Sequence, residues 1–330
     1  MKKIRWGILG TGFIASKLAE ALISLDDCTL AAVASRDAGR AKEFAEKYNI
    51  EKYYGSYGEL SEDPDIDVVY VAVPHTGHKD ATEQCLRNRK AVLCEKPFTI
   101  NSRETEELIR LAKENNVFLM EAMWTKFLPA SLQVKKWIKE GRIGKVRHIK
   151  ANFGFYNEFD PDSRLYNPEL GGGALLDLGI YPITYATFLL DSMPERVYSC
   201  AEIGRSGVDE QNVVILQFRD GILADLSSAV SAALGRDALI AGEKGIIVVD
   251  WFWMATRARL YDNGYNLIEE FHEPFRTNGY EYEAEEVNRC LREGLLESPH
   301  VPLEDTLSIM KIMDGIRSSW GLVYPGEQGK

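Results

Sequence analysis

A short apolar run, Ile4–Leu9, breaks into Gly10-Thr11-Gly12-Phe13-Ile14-Ala15 and then continues as an amphipathic stretch. No other feature restricts the folding of this chain so strongly. A G-x-G-x-x-A turn between a strand and a helix brings the main chain close to an anion. Gly10 permits the tight turn, Gly12 lets a pyrophosphate approach the backbone, and Ala15 lets helix and sheet pack closely. The helix carries Ile14, Leu18, Leu22 and Leu25 on one stripe. Its first turn offers unpaired N–H groups and a partial positive charge. Gly10, Thr11, Gly12, Phe13 and Ile14 are therefore the first candidate cofactor-binding residues. Glycine turns are common, so the motif gains meaning only from its setting.

That setting is a series of alternating elements. Strand candidates Thr29–Ala34, Asp67–Val73, Ala91–Cys94 and Val117–Met120 are separated by amphipathic helices, as in a parallel sheet covered on both faces. We read residues 1–124 as a doubly wound Rossmann domain. A chain of 330 residues is also too long for one ordinary core. Beyond residue 124 the pattern changes. A helix over Ala130–Glu140 stops at Gly141, a strand candidate runs from Val146 to Phe155, and turn signals follow at Asp220-Gly221, Gly242 to Gly245 and Asn263-Gly264. Asn-Gly and Asp-Gly favour tight hairpins. Residues 125–330 are thus expected to form one α/β domain around a large, mainly antiparallel sheet, with helices over Glu281–Leu296 and Leu303–Leu322.

The ends of the parallel strands face the ligand crevice in this architecture. The second strand ends in Ser35-Arg36, where an NAD-selective site carries an acid about 20 residues after the fingerprint. A guanidinium pairs with a 2′-phosphate that an acid would repel. The expected cofactor is NADP, with NAD as the alternative if Arg36 is only a solvated residue before the helix cap Asp37. The third strand leads to Pro74, His75 and His78, candidates for the nicotinamide half or plain loop residues. The fourth ends in Glu95-Lys96-Pro97, where Lys96 is either reactive or simply on the surface.

Downstream, Gly171-Gly172-Gly173 precede an apolar run containing Asp177 and Tyr181. Four residues apart, these two side chains share one face if the segment is an α-helix. Pro182 is expected to kink it just beyond Tyr181. Trp124, Phe127, Phe153, Phe155, Trp251 and Trp253 are wall or core aromatics. Arg164 is either a substrate contact or a surface cation.

The fingerprint, Glu95-Lys96-Pro97 and the Asp177/Tyr181 segment, in this order, resemble the Gfo/Idh/MocA oxidoreductases. Glu121-Ala122-Met123-Trp124 and the run from Gly171 to Asp177 most resemble the dimeric dihydrodiol dehydrogenase and NADP-linked aldose (xylose) dehydrogenase branches. The resemblance implies hydride transfer between nicotinamide and a sugar, polyol or trans-dihydrodiol. It implies Lys96, Tyr181 and Asp177 as catalytic residues, with Tyr181 the general acid–base. It implies Trp124, Asp177, Tyr181 and Trp253 around the substrate, and Phe155 and Arg164 complete the candidate set on their own chemistry. Pro74, His75, His78, Glu95 and Lys96 join the fingerprint, Ser35 and Arg36 around the cofactor. A homodimer through the second domain's sheet is implied too, as is a cis bond before Pro97. A phenol alone titrates near about 10, and a neighbouring ammonium stabilises its phenolate. Two rival readings are a noncatalytic NADP-binding regulator and a tightly held NADP that shuttles between two sugars, as in glucose–fructose oxidoreductase.

Composition removes other classes. A net charge of −11 without a basic stripe argues against nucleic acid. No run approaches about 18 consecutive apolar residues, the length that argues for a membrane span. The cysteines, Cys28, Cys85, Cys94, Cys200 and Cys290, form no C-x-x-C pair. Neither a disulfide framework nor a zinc cluster is expected, and the chain reads as cytoplasmic. No metal is expected.

Overall fold

Short buried strands and one-sided helices alternate through the first part of the computed structural model, which describes residues 2–327. In chain order they are β1 Ile4–Leu9, α1 Phe13–Ile23, β2 Cys28–Ala34, α2 Ala38–Tyr48, β3 Lys52–Tyr54, α3 Tyr57–Glu62, β4 Val68–Val71, α4 His78–Arg87, β5 Ala91–Glu95, α5 Ser102–Asn115 and β6 Leu119–Ala122. The strands form a six-stranded parallel sheet in the order β3-β2-β1-β4-β5-β6. β4, β5 and β6 are buried at every position. They read as nearly continuous apolar runs, interrupted only by Glu95 and Glu121, because a parallel sheet is covered on both faces. β3 has only three residues, Lys52, Tyr53 and Tyr54, too few for a periodic signal, and it was not anticipated.

The second part contains α6 Pro129–Lys139, β7 Val146–Gly154, α7 Ile180–Leu190, β8 Arg196–Ile203, β9 Asp209–Gln217, β10 Leu223–Ala229, β11 Ala238–Gly242, β12 Gly245–Asp250, β13 Arg257–Asp262 and β14 Leu267–His272. Its eight strands run β14-β13-β12-β11-β7-β10-β9-β8. Only β7 and β10 pair in parallel; every other neighbour is antiparallel. In β9, Val214 and Leu216 are buried while Val213 and Ile215 are exposed, so one face is covered and the other open. Among the described residues, Pro168–Leu190 is long and apolar enough to cross a membrane, but it is mostly buried inside this unit.

Two further helices follow, α8 Glu281–Glu293 and α9 Leu303–Trp320. Here the structure corrects the expected partition. The first unit comprises the residues up to Trp124 together with Phe275–Met310; the second comprises Thr125–Pro274 and the described residues from Lys311 onward. Assigning all of 125–330 to the second domain fails because the returning segment completes the Rossmann core. The Trp6 indole N–H donates to Asn288 at 2.9 Å, and the Asn288 amide donates to Asp27 at 3.0 Å. The Leu119 N–H donates to the Leu296 carbonyl, and Leu303 and Leu307 join the core of Leu9, Val71, Val92 and Leu119.

Candidate functional site

In the first unit, Gly10 has φ +104°, and a Cβ there would lie 2.3 Å from the Ala72 carbonyl oxygen. Above Gly12 nothing lies within 4 Å. α1 begins with neither an acidic residue in its first turn nor a side chain bonded to its leading amides. The donors that a helix leaves unpaired are therefore available to a phosphate. Ala15 is fully buried, while Phe13 is 77% exposed with Lys17 over its ring. At the end of β2, Ser35 is buried and its hydroxyl accepts from the Asp37 N–H at 3.3 Å. Arg36 is exposed, and its charge acts on the Tyr57 hydroxyl. Burial raises the Tyr57 phenol above its usual range, and Arg36 opposes that shift. Tyr57 opens α3 far from the fingerprint in sequence, and no local signal identifies it. The open backbone at Gly12, the uncapped α1 and the absence of an acid at 35 and 36 fit a dinucleotide.

The loop after β4 separates two histidines. Pro74 is exposed and His75 half-buried. His78 is only 1% exposed, with Nδ1 at 2.8 Å from the Pro97 carbonyl and Nε2 at 2.9 Å from that of Val73. Burial lowers its pKa to about 4, so the ring is neutral at pH 7. The expectation that His78 lines the nicotinamide half is corrected: the ring is enclosed between two strand-end loops, and its single N–H donates to one of the two carbonyls, the tautomer deciding which. The Lys96–Pro97 peptide is cis.

Behind half-buried Lys96 lies a group of acids. The Glu95 carboxyl accepts from the Tyr70 hydroxyl and, at 3.1 Å, from the Lys96 N–H. Burial pushes it up to about 7, with the Lys96 charge opposing. Glu283 on α8 is fully buried, and neither of its oxygens has a hydrogen-bond partner. Burial and then Glu95 hold it well above the carboxylate range. Trp124 stacks on Tyr280, with centroids 4.3 Å apart and planes at 8°. One face of this expected substrate wall is thus already covered inside the first unit.

In the second unit, Leu175–Gly179 form a π-helical turn that runs into α7. The Ile180 N–H reaches the Leu175 carbonyl, five residues back. The segment around Asp177 and Tyr181 is therefore not the continuous α-helix assumed from their spacing. Pro182 lies inside a helical run that continues from the π-helical turn into α7, and the irregularity precedes Tyr181 instead of following it. Asp177 is buried and accepts from Arg164 at 2.8 Å, pairing two residues expected to meet substrate. Tyr181 is 7% exposed, and its ring meets Phe153 edge-on at 5.5 Å. Phe153 stacks on Trp253 at 3.9 Å and 16° and contacts Phe155. These residues form one aromatic platform beside the phenol. Asp209, also fully buried, is held up to about 7 by burial. Its place at a strand start reads from sequence as an ordinary solvated acid. Among the described residues no group of three or more His, Cys, Asp or Glu is arranged to hold a metal ion.

Residues 4–123 match the family model described as "Oxidoreductase family, NAD-binding Rossmann fold", and residues 131–248 match the "GFO/IDH/MocA C-terminal domain". The chain is 38% identical to the mouse (Mus musculus) trans-1,2-dihydrobenzene-1,2-diol dehydrogenase, covering 98% of this chain and 99% of that one. It is 41% identical to the Xenopus laevis enzyme of the same name, with 97% and 99% covered. Among solved structures, a 3-ketoreductase from Actinomadura kijaniata in complex with NADP and TDP-benzene is 27% identical, with TM-score 0.86 and 96% and 98% covered. That enzyme has also been solved with one tyrosine replaced by phenylalanine and with one lysine replaced by alanine. An aldose–aldose oxidoreductase from Caulobacter crescentus is 26% identical, with TM-score 0.88 and 96% and 97% covered.

Proposed function

Because this chain belongs to the Gfo/Idh/MocA oxidoreductase family, we propose that it interconverts alcohol and carbonyl in a sugar, polyol or trans-dihydrodiol, with NADP as cofactor. At the level of the family it is an NAD(P)-dependent oxidoreductase acting on CH–OH groups. The nicotinamide supplies the hydride chemistry. The protein must hold the substrate and move one proton.

The observation that carries the reading is the platform in the second unit, where a phenol sits against Phe153 and Phe153 against Trp253. Stacked aromatic faces suit the apolar face of a ring, and Tyr181 at their edge is the general acid–base for the ring's hydroxyl. Lys96 assists by stabilising phenolate or alkoxide charge. Asp177, fixed by Arg164, orients a neighbouring hydroxyl. Arg36 with Tyr57 receives the 2′-phosphate, which favours NADP over NAD. The names of the similar proteins, a dihydrodiol dehydrogenase and a ketoreductase bound to NADP, support this substrate class and cofactor.

The test is a panel of aldoses, polyols and trans-1,2-dihydrobenzene-1,2-diol, followed by NADPH absorbance beside NAD(H). Tyr181→Phe is expected to abolish turnover while NADPH binding stays close to wild type. Full activity in that variant refutes Tyr181 as the proton carrier. NADPH binding without turnover on any of the panel instead supports a regulator.

We also assign the protein to the cytoplasm as a homodimer. Its five free thiols support a reducing compartment. Tyr198, Val213, Ile215 and Leu223 are exposed on the sheet of the second unit, a contiguous apolar patch that suits a second copy. Light scattering is expected to give twice the 37.2 kDa chain mass, and Ile215→Asp to shift it toward monomer.

A further inference from the structure

The structure assigns a positioning role to Asp209: it anchors the π-helical turn that presents Asp177 and Tyr181. This inference rests on the reading of Tyr181 as the proton-transferring group.

Asp209 is the first residue of β9 and has no exposed surface. Its Oδ2 accepts from the Leu175 N–H at 2.8 Å and from the Asn212 amide at 2.8 Å. Leu175 opens the π-helical turn, Asp177 lies within it, and Tyr181 follows on the next turn. A buried carboxyl oxygen at the leading end of a helical segment pairs an amide that the helix itself leaves without a partner. The other oxygen, Oδ1, lies 2.5 Å from where a Gly173 Cβ would stand. Gly173 also has φ +114°, so two independent constraints exclude a side chain there. The glycine run is tied from a second direction as well. The Tyr324 hydroxyl donates to the Gly172 carbonyl, and Arg317, bonded to Asp314 and Glu327, lies over the Tyr324 ring.

A π turn packs one extra residue into a helical repeat and persists only where its surroundings demand it. Without Asp209 the Leu175 amide is buried and unpaired, and the turn can re-close with ordinary α spacing. Such a change rotates Asp177 relative to Tyr181. A misplacement of about 1 Å at reacting groups costs about 10²-fold in rate.

The experiment compares Asp209→Ala, Asp209→Asn and Tyr181→Phe, using NADP with trans-1,2-dihydrobenzene-1,2-diol or, if that is inert, the best substrate of the panel. Asp209→Ala is expected to lower kcat about 10²-fold, with the Kd for NADPH, read by fluorescence titration, unchanged. Asp209→Asn keeps an acceptor for Leu175 and is expected to recover most of the rate. A folded Asp209→Ala protein with wild-type kcat overturns the proposal. So does an Asp209→Asn variant as impaired as Asp209→Ala. If Asp209→Ala does not fold, Asn212→Ala decides. Faster amide exchange at Leu175 together with lower kcat supports the anchor, and no change in either refutes it. Full activity of Tyr181→Phe removes the underlying reading and leaves the anchoring of the turn to be judged from exchange at Leu175.

Discussion

At the residue scale, the proposed preference for NADP turns on Arg36. A hydrogen bond to a charged group contributes about 1.5–3 kcal/mol, so Arg36→Ala is expected to raise the Kd for NADPH about 10- to 100-fold and leave that for NADH nearly unchanged. Fluorescence titration of both cofactors checks this, and an equal loss for both sinks the 2′-phosphate assignment. Tyr57→Phe is expected to follow in the same direction with a smaller effect, because it removes only the hydroxyl beside the Arg36 charge. His78 shows what sequence could not supply. Its place after a strand suggested a ligand contact, but its partners are two main-chain carbonyls, one of them nineteen residues away along the chain. Only the folded backbone reveals them. His78→Ala removes the ring's N–H donor, and one buried carbonyl left unsatisfied costs about 1–3 kcal/mol. A clear fall in Tm is expected, with NADPH binding retained by whatever fraction remains folded.

At the element scale, β1, the turn through Gly10 and Gly12, and α1 were legible in detail because their information is local: an apolar run, two glycines and a stripe. The π-helical turn was not. The spacing of Asp177 and Tyr181 is compatible with an α-helix, and what defeats that geometry lies in Asp209, on another strand. Gly173 marks the same place. A positive φ that suits only glycine costs a side chain about 1–3 kcal/mol, and here Asp209 would also be displaced. Gly173→Ala is therefore expected to lower both Tm and kcat, whereas Gly141→Ala, also at positive φ but with nothing within 4 Å, is expected to lower Tm alone. Equal kcat losses in the two variants count against the coupling. The amphipathic pattern of α8 was equally readable. Ala284, Val287 and Cys290 show that one face is buried, but nothing in the pattern says against which sheet.

At the scale of the whole molecule, buried acids set the pH response. Glu95 and Asp209 are raised to about 7, so the native state holds protons that the unfolded chain has released. Their contribution is complete below their ordinary range near 4 and is lost as pH rises through about 7. His78, lowered to about 4, works the other way: its contribution is complete above 6.5 and is lost as pH falls toward 4. Glu283, held well above the carboxylate range, acts with the same sign, so three raised acids oppose one lowered imidazole, and the lowered carboxyls, Asp63 and Glu83 among them, titrate below this window. Tm is expected to be higher at pH 5.5 than at pH 8, and Glu95→Gln to flatten the difference; a Tm that climbs steadily to pH 8 contradicts the assignment. The return of Phe275–Met310 to the first unit has a consequence for biosynthesis. A nascent chain emerging from the ribosome exposes all six parallel strands long before the helix that shields Trp6 has been translated. The half that is made first must wait, incompletely sealed, while the intervening sheet is synthesised, and its stretch of greatest vulnerability to chaperone capture or misassociation is written into the order of the gene.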